Sequence, residues 1–146
     1  MVFGNILNLK CNILHLEDDD NDSLFFQRAL KRRDFMGAYR RVSTVEAAIR
    51  YLNGTHEFAE RRLFPLPNVL VMDSSLSGYQ TTEDLLKWIE GKSEFRPLIR
   101  VMLTGGVNPA AEESWKKRGV NAVLAKGVTL SDFAASVEEV LRRCMD

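Results

Sequence analysis

Short runs of apolar residues alternate along the chain with longer segments in which apolar residues recur at helical spacing. Within the runs the apolar positions are continuous rather than alternating with polar ones, which is typical of strands covered on both faces of a sheet. The pattern predicts five strands, at residues 12–16, 39–42, 68–72, 99–103 and 122–125.

The segments between these runs predict amphipathic helices. The spacing is clearest in two of them, which carry Val45, Ala48, Ile49 and Leu52 in one and Phe133, Val137, Val140 and Leu141 in the other. The first helix has candidates for its N-cap among residues 20–22. The fourth should span residues 109–118, with Pro109 in its first turn and Gly119 just past its end.

Five strand–helix repeats in succession predict a parallel sheet with right-handed crossovers. The chain is too short for an eight-stranded barrel. We therefore expect an α/β fold with a doubly wound, five-stranded parallel sheet, the flavodoxin-like (βα)5 arrangement, in strand order 2-1-3-4-5. Residues 1–146 should form a single domain in which 1–10 are an N-terminal extension, and residues 53–67 an irregular surface excursion.

The composition of the chain argues against several classes of function. Lys plus Arg equals Asp plus Glu at 20 each, so the net charge favours neither a nucleic-acid partner nor another polyanion. No stretch approaches the roughly 18 apolar residues of a membrane span, and the first ten residues do not read as a signal peptide. Cys11 and Cys144 make no disulfide framework. Reduced thiols and a cytoplasmic location are the expectation.

Polar residues stand where four of the predicted strands end. Glu17 and Asp18 follow the first strand, Asp73 the third, Thr104 the fourth and Lys126 the fifth. In an open parallel sheet the carboxyl ends of the strands share one edge, which is where ligands bind. The sequence therefore predicts that these five side chains form one site.

The chemistry of that site follows from its residue types. Neighbouring carboxylates repel by about 4 kcal/mol per pair at roughly 4 Å and an effective dielectric near 20, so a cation or raised pKa values are needed. Oxygen ligands suit Mg²⁺, which also binds phosphoryl oxygens. Lys126 supplies a positive charge and Thr104 a hydrogen-bond donor for a phosphoryl group. Asp73 is then the candidate nucleophile, because a carboxylate can form an acyl phosphate.

These residues resemble the receiver domains of two-component response regulators, the CheY-like superfamily. The resemblance runs from about Cys11 to Arg143 and carries over the acidic pair Glu17 and Asp18, the phosphoacceptor Asp73, the hydroxyl of Thr104 and the lysine Lys126. It implies phosphoryl transfer from a sensor histidine kinase or a histidine phosphotransfer protein to Asp73, with Mg²⁺ also bound by the backbone carbonyl of Ser75. It implies no enzyme activity beyond self-catalysed phosphoryl transfer and autodephosphorylation.

The stretch from Lys126 to Ser131 and the segment from Tyr51 to Pro67 resemble the stand-alone regulators that serve bacterial phytochrome-type kinases. Two positions depart from the family. Gly127 replaces the proline that usually follows the lysine, and glycine should leave that loop freer. Val123 replaces the aromatic residue that usually couples to the hydroxyl. Both changes bear on how phosphorylation is read out rather than on phosphoryl acceptance.

With no attached output domain, the readout should be a protein–protein interaction. Dimerisation through the surface of helix 4, strand 5 and helix 5 is one way in which it could occur, with Trp115 and Val123 expected on the exposed side. Two alternatives remain open. A phosphorylation-independent adaptor would keep the fold as a scaffold. A phosphohydrolase acting on free substrates would need a second acid two residues after Asp73, where this chain has Ser75.

Overall fold

The computed structural model describes residues 11–76 and 78–145, and five parallel strands form one sheet within them. The strands are β1 (Ile13–Leu16), β2 (Tyr39–Val42), β3 (Val69–Asp73), β4 (Ile99–Thr104) and β5 (Ala122–Ala125). Their order across the sheet is β2-β1-β3-β4-β5, which confirms the predicted doubly wound fold. The predicted N-terminal extension lies outside the described residues.

In the part of the chain that the structure describes, five helices connect and flank the strands. They are α1 (Asp20–Arg32), α2 (Val45–Asn53), α3 (Thr82–Glu90), α4 (Pro109–Lys117) and α5 (Leu130–Met145), and short 3-10 turns cover His56–Phe58 and Ser93–Phe95. The N-cap of α1 is Asp19, one residue before the predicted candidates, and its carboxylate accepts from the Asp22 amide at 2.9 Å. Within the described residues, no helix is both long and apolar enough to cross a membrane.

The helices bury an apolar cluster on each face of the sheet. One cluster joins the sheet to α1 and α5 and includes Phe26 and Phe133. The other joins it to α2, α3 and α4 and includes Leu52 and Leu85, with Trp115 packed against it. Because both faces are covered, the central strands β1 and β3 are buried along their whole length, which explains their continuous apolar sequences.

The structure corrects the predicted exposure of Val123. Its side chain is 9% exposed and belongs to the cluster beneath α2, α3 and α4. Trp115 of α4 is half-buried against the same cluster. The prediction failed because alternate residues of β5 point to opposite faces and α4 covers the face to which Val123 points.

The excursion between α2 and β3 is organised by Arg61. Its guanidinium donates to the carbonyl oxygens of Tyr51 at 2.8 Å, Leu52 at 2.9 Å and Phe64 at 3.1 Å. The first two carbonyls belong to the last turn of α2, where backbone acceptors have no partner within the helix. One side chain thus caps α2 and ties the excursion to it.

Replacing Arg61 with alanine should lower the free energy of unfolding by about 2 kcal/mol or more, because three charge-assisted hydrogen bonds are lost together. The neighbouring Arg62 provides a matched control. Its side chain is 92% exposed and its ion pair with Glu60 spans 3.7 Å, so Arg62→Ala should change stability by less than about 0.5 kcal/mol. Urea unfolding of the two variants measures the difference, and equal losses would contradict the capping role.

Cys11 and Cys144 form a disulfide, which corrects the prediction of two reduced thiols. Cys11 is buried just before β1, and Cys144 lies in the last turn of α5, with 5.8 Å between the two Cα atoms. The bond therefore fastens the start of the sheet to the end of the last helix. The expectation of a reduced setting rested on these two thiols and loses that support.

Candidate functional site

The register of the parallel strands brings the predicted site residues to one edge of the sheet. Leu16 pairs with Met72 and Asp73 pairs with Leu103, so the residues after β1 stand beside the tip of β3. Thr104 pairs with Ala125, which places Lys126 one residue beyond the tip of β5. The strand ends therefore deliver three acids, a hydroxyl and an amine to neighbouring positions.

Three carboxylates converge at this edge. Glu17, Asp18 and Asp73 each place an oxygen within 4.8 Å of the others. Glu17 is 0% exposed and Asp73 is 4% exposed, whereas Asp18 is half-buried. Such a set of hard oxygen donors, open to solvent on the Asp18 side, fits a divalent cation of the Mg²⁺ or Mn²⁺ kind.

Lys126 lies between these acids. Its Nζ is 2.9 Å from Glu17 Oε1 and 3.1 Å from Asp73 Oδ2. It is also 2.8 Å from Oδ2 of Asp22, in the first turn of α1. The ammonium group thus neutralises part of the charge that the carboxylates bring together.

Local hydrogen bonds fix the backbone that presents Asp73. The Ser75 amide donates to Asp73 Oδ1 at 3.0 Å, and the buried hydroxyl of Thr82 donates to the Asp73 carbonyl oxygen at 2.6 Å. The carboxylate is therefore oriented with Oδ2 toward Lys126. Thr104 ends the adjacent strand, where its hydroxyl donates to the Gly106 carbonyl oxygen at 3.4 Å. The role of the Ser75 carbonyl oxygen as a ligand stays a prediction.

Burial and charge shift the pKa values of the central pair. Burial, reinforced by the negative charge of Asp73, raises the pKa of Glu17 to about 7, against the opposing hydrogen bonds from Lys126 and the Asp19 amide. Burial by itself would lower the pKa of Lys126, but its hydrogen bonds to Asp22 and Glu17 outweigh that and raise the pKa above its usual range. Lys126 is thus a permanent cation, while Glu17 gains or loses its proton near neutrality.

His15 lies beneath the carboxylates on β1. Its Nδ1 is 2.8 Å from the Tyr39 hydroxyl, which is 2.9 Å from the hydroxyl of Ser23 on α1. Its Nε2 is 4.0 Å from Glu17 Oε1. Burial, with the positive charges of Lys126 and Arg41, lowers the pKa of His15 to about 3. His15 is therefore neutral in the folded protein at ordinary pH.

The pKa shifts of Glu17 and His15 should cancel in the pH dependence of the free energy of unfolding. Between pH 4.5 and 6.5, the folded pair holds its one proton on Glu17, and the unfolded pair holds one proton on His15. The pair then contributes no slope, because stability changes with pH only where the two states bind different numbers of protons. In Glu17→Gln the unfolded state alone binds the His15 proton, so stability should rise with pH by about 2 kcal/mol across this window.

Urea unfolding in the presence of a chelator, at several pH values, measures that slope. His15→Asn is the reciprocal control. Its Glu17 keeps a folded pKa of about 7 against 4.5 when unfolded, so its stability should fall as pH rises over the same window. A Glu17→Gln variant with no slope would contradict the account.

Sequence reasoning missed two residues of the site. Asp22 was considered only as a helix cap, although its carboxylate reaches Lys126. Arg41 at the end of β2 donates from Nε to the Glu17 carbonyl oxygen at 2.8 Å and pairs with Asp20 at 2.7 Å. Their positions in the sequence could have indicated both residues. Arg41 lies near the carboxyl end of β2, and Asp22 lies in the first turn of α1, the helix that follows β1.

Comparisons with known proteins identify the fold. No protein-family model matches the sequence, and no curated protein sequence matches it. Solved structures do match. The bacteriophytochrome response regulator RtBRR is 26% identical, with a TM-score of 0.73 over 89% of this chain and 77% of that one.

Two further matches are a metal-bound and a phosphorylated response regulator. The Mn²⁺-bound response regulator Rcp1 is 24% identical, with a TM-score of 0.75 over 89% of this chain and 91% of that one. The phosphorylated cyanobacterial phytochrome response regulator RcpA is 21% identical, with a TM-score of 0.77 over 89% and 90%. These likenesses confirm the predicted receiver fold and its similarity to stand-alone phytochrome regulators.

Proposed function

We propose that this chain, a CheY-like receiver domain by its fold, accepts a phosphoryl group on Asp73 and signals by binding another protein. One observation carries the proposal. Asp73 ends β3 as a buried carboxylate, 3.1 Å from Lys126 Nζ and within 4.8 Å of two further acids. That arrangement supports a nucleophilic carboxylate with a cation site beside it and the positive charge of Lys126 within contact distance.

Each side chain has a role in the proposed transfer. An oxygen of Asp73 attacks the phosphorus of the donor, the bond from phosphorus to the leaving group breaks, and an aspartyl phosphate forms. Lys126 turns from Asp73 to pair with a phosphoryl oxygen, and the hydroxyl of Thr104 donates to another. Glu17, Asp18, Asp73 and the Ser75 carbonyl would hold Mg²⁺, which when bound supplies charge neutralisation for the transferring group.

The proposed donor is a sensor histidine kinase or a histidine phosphotransfer protein, as the receiver resemblance implies. The chain itself would catalyse only its own phosphoryl transfer and the later hydrolysis, so it is not an enzyme that acts on a free substrate. Similarity to RtBRR, Rcp1 and RcpA, which are named as phytochrome regulators, supports a partner of that class.

Homodimerisation through α4, β5 and α5 stays a prediction, but the structure changes which residues can form its contact surface. Val123 cannot contribute, because it is buried. Trp115 is half-buried, and the Arg118 guanidinium lies 5.2 Å from its ring centroid. The dimer surface would therefore be the outer side of α4. A phosphorylated chain that stays monomeric at all concentrations in analytical ultracentrifugation would contradict it.

Incubation with Mg²⁺ and acetyl phosphate tests the proposal. Intact-mass spectrometry should show one added phosphoryl group on the wild type and none on Asp73→Asn. Asp34→Asn is a matched control, because Asp34 lies in the turn before β2, at the opposite edge of the sheet, and should be labelled like the wild type. Equal labelling of Asp73→Asn, or none of the wild type, would overturn the proposal and in the second case favour an adaptor.

A further inference from the structure

Among the residues that the structure describes, Lys126 forms three ion pairs, and the pair with Asp22 is the shortest. Asp22 Oδ2 is 2.8 Å from Lys126 Nζ, against 2.9 Å for Glu17 and 3.1 Å for Asp73. The residue is held in place at its own backbone, where its amide donates to the N-cap Asp19. Its side chain is 25% exposed, so it stands at the rim of the site rather than at its floor.

The three carboxylates around Lys126 differ in what else they can do. Glu17 and Asp73 belong to the set of acids close enough to share a cation, and Asp22 does not belong to any such set among the described residues. An ammonium group has three donors, and here each has a carboxylate partner. A divalent cation at the acidic cluster would bind Glu17 and Asp73, the two carboxylates that Lys126 also contacts.

Lys126 and the cation therefore compete for the same two carboxylates. Coulomb repulsion also opposes placing an ammonium beside a divalent ion. Among the ion pairs of Lys126 in the described residues, only the pair with Asp22 lies outside the set of carboxylates that could share a cation. Because Asp22 sits on α1 at the rim, it offers the ammonium a charged partner outside the cluster while keeping it near Asp73.

We propose that Asp22 is a positioning residue that draws Lys126 away from Glu17 and Asp73 and so eases the entry of a divalent cation. Without Asp22 the ammonium would rely wholly on the two metal-binding carboxylates, and the cation would have to displace it from both. This inference rests on the proposed function for its purpose, but its consequence is a change in cation affinity that needs no phosphoryl transfer.

A double-mutant cycle on Mn²⁺ affinity tests it, with binding measured by electron paramagnetic resonance on the whole chain. Asp22→Asn should weaken Mn²⁺ binding about tenfold, the scale of effect that outer-shell residues have on metal affinity. In the Lys126→Met background the same substitution should change the affinity by less than about twofold, because there is no ammonium left to position.

Asp20→Asn is the matched control. It removes the same charge from the same helical turn, but Asp20 pairs with Arg41 and its side chain is 92% exposed. Its effect on Mn²⁺ affinity should stay below about twofold. Thermal unfolding of each variant in chelator checks that the fold is retained.

The inference would be overturned if Asp22→Asn bound Mn²⁺ like the wild type or like Asp20→Asn, or if its effect persisted in the Lys126→Met background. Failure of the proposed function has a different signature. In that case the Mn²⁺ cycle would hold while acetyl phosphate left Asp73 unlabelled.

Discussion

Reduction of the Cys11–Cys144 disulfide should lower the free energy of unfolding by up to about 5 kcal/mol. The bond closes a loop with a sequence separation of 133, and in the chain-entropy model a cross-link of that span restricts the unfolded state by about this amount. Strain in the folded state or residual structure in the unfolded state would reduce the value. A loss of this size is comparable to the whole stability of many single domains.

Urea unfolding with and without dithiothreitol measures the loss. Cys144→Ser is the control, since it removes the bond at the half-buried partner and leaves the buried Cys11 in place. The variant should unfold like the reduced wild type and should not respond to dithiothreitol. Equal stability of the oxidised and reduced wild type would contradict the expected contribution.

Replacing Gly127 with alanine should cost about 1–3 kcal/mol and displace Lys126, as overpacking of a close contact does. A Cβ at this position would overlap the Cβ of Asp132 and lie 2.8 Å from its Cγ. Rotation of the Asp132 side chain would not relieve the overlap, because Cβ is fixed to the backbone. Its carboxylate is also held by the amides of Val128 and Thr129 at 3.1 and 3.2 Å, just before α5. The first turn of α5 would have to move away from the strand that presents Lys126.

The Gly127→Ala effect can be separated from a general cost of alanine in loops. Gly105 and Gly106 have open space where a Cβ would lie, so alanine there should be nearly neutral. Asp132→Gly removes the obstructing Cβ, so adding Gly127→Ala to it should cost much less than in the wild type. The change in Mn²⁺ affinity reports the displacement of Lys126. An unchanged affinity together with unchanged stability would contradict the close approach.

The close contact of Gly127 with Asp132 changes how the glycine after Lys126 should be interpreted. The sequence predicted a freer loop, because glycine relaxes the backbone. In the structure Gly127 is a point of close packing between the end of β5 and the first turn of α5. That difference could not be read from the sequence, since it depends on how near Asp132 comes to a residue five positions earlier in the chain.

Most of the fold was predictable because its central strands are buried on both faces and read as apolar runs. The predicted strands match all five observed strands to within one residue at each end, and the parallel order then placed Asp73 beside Glu17. The site was predictable for the same reason, because a residue that ends a buried strand has only one edge at which to lie.

The remaining features depend on contacts between distant parts of the chain. Asp22 reaches Lys126 across the gap between α1 and β5, which no spacing in the sequence indicates. The burial of Val123 depends on where α4 lies. Cys11 and Cys144 are nearly at opposite ends of the sequence, and their pairing follows from α5 returning to the start of β1.

The Cys11–Cys144 disulfide also changes how a single backbone cut would affect the polypeptide. Between Cys11 and Cys144 the backbone and the bond form a closed ring that contains every strand of the sheet and all but the last residue of α5. A protease that cuts once in the excursion, for example after the exposed Arg62, would open the ring without dividing the molecule. The nicked chain would migrate as one band in a denaturing gel until a reductant separated it into two.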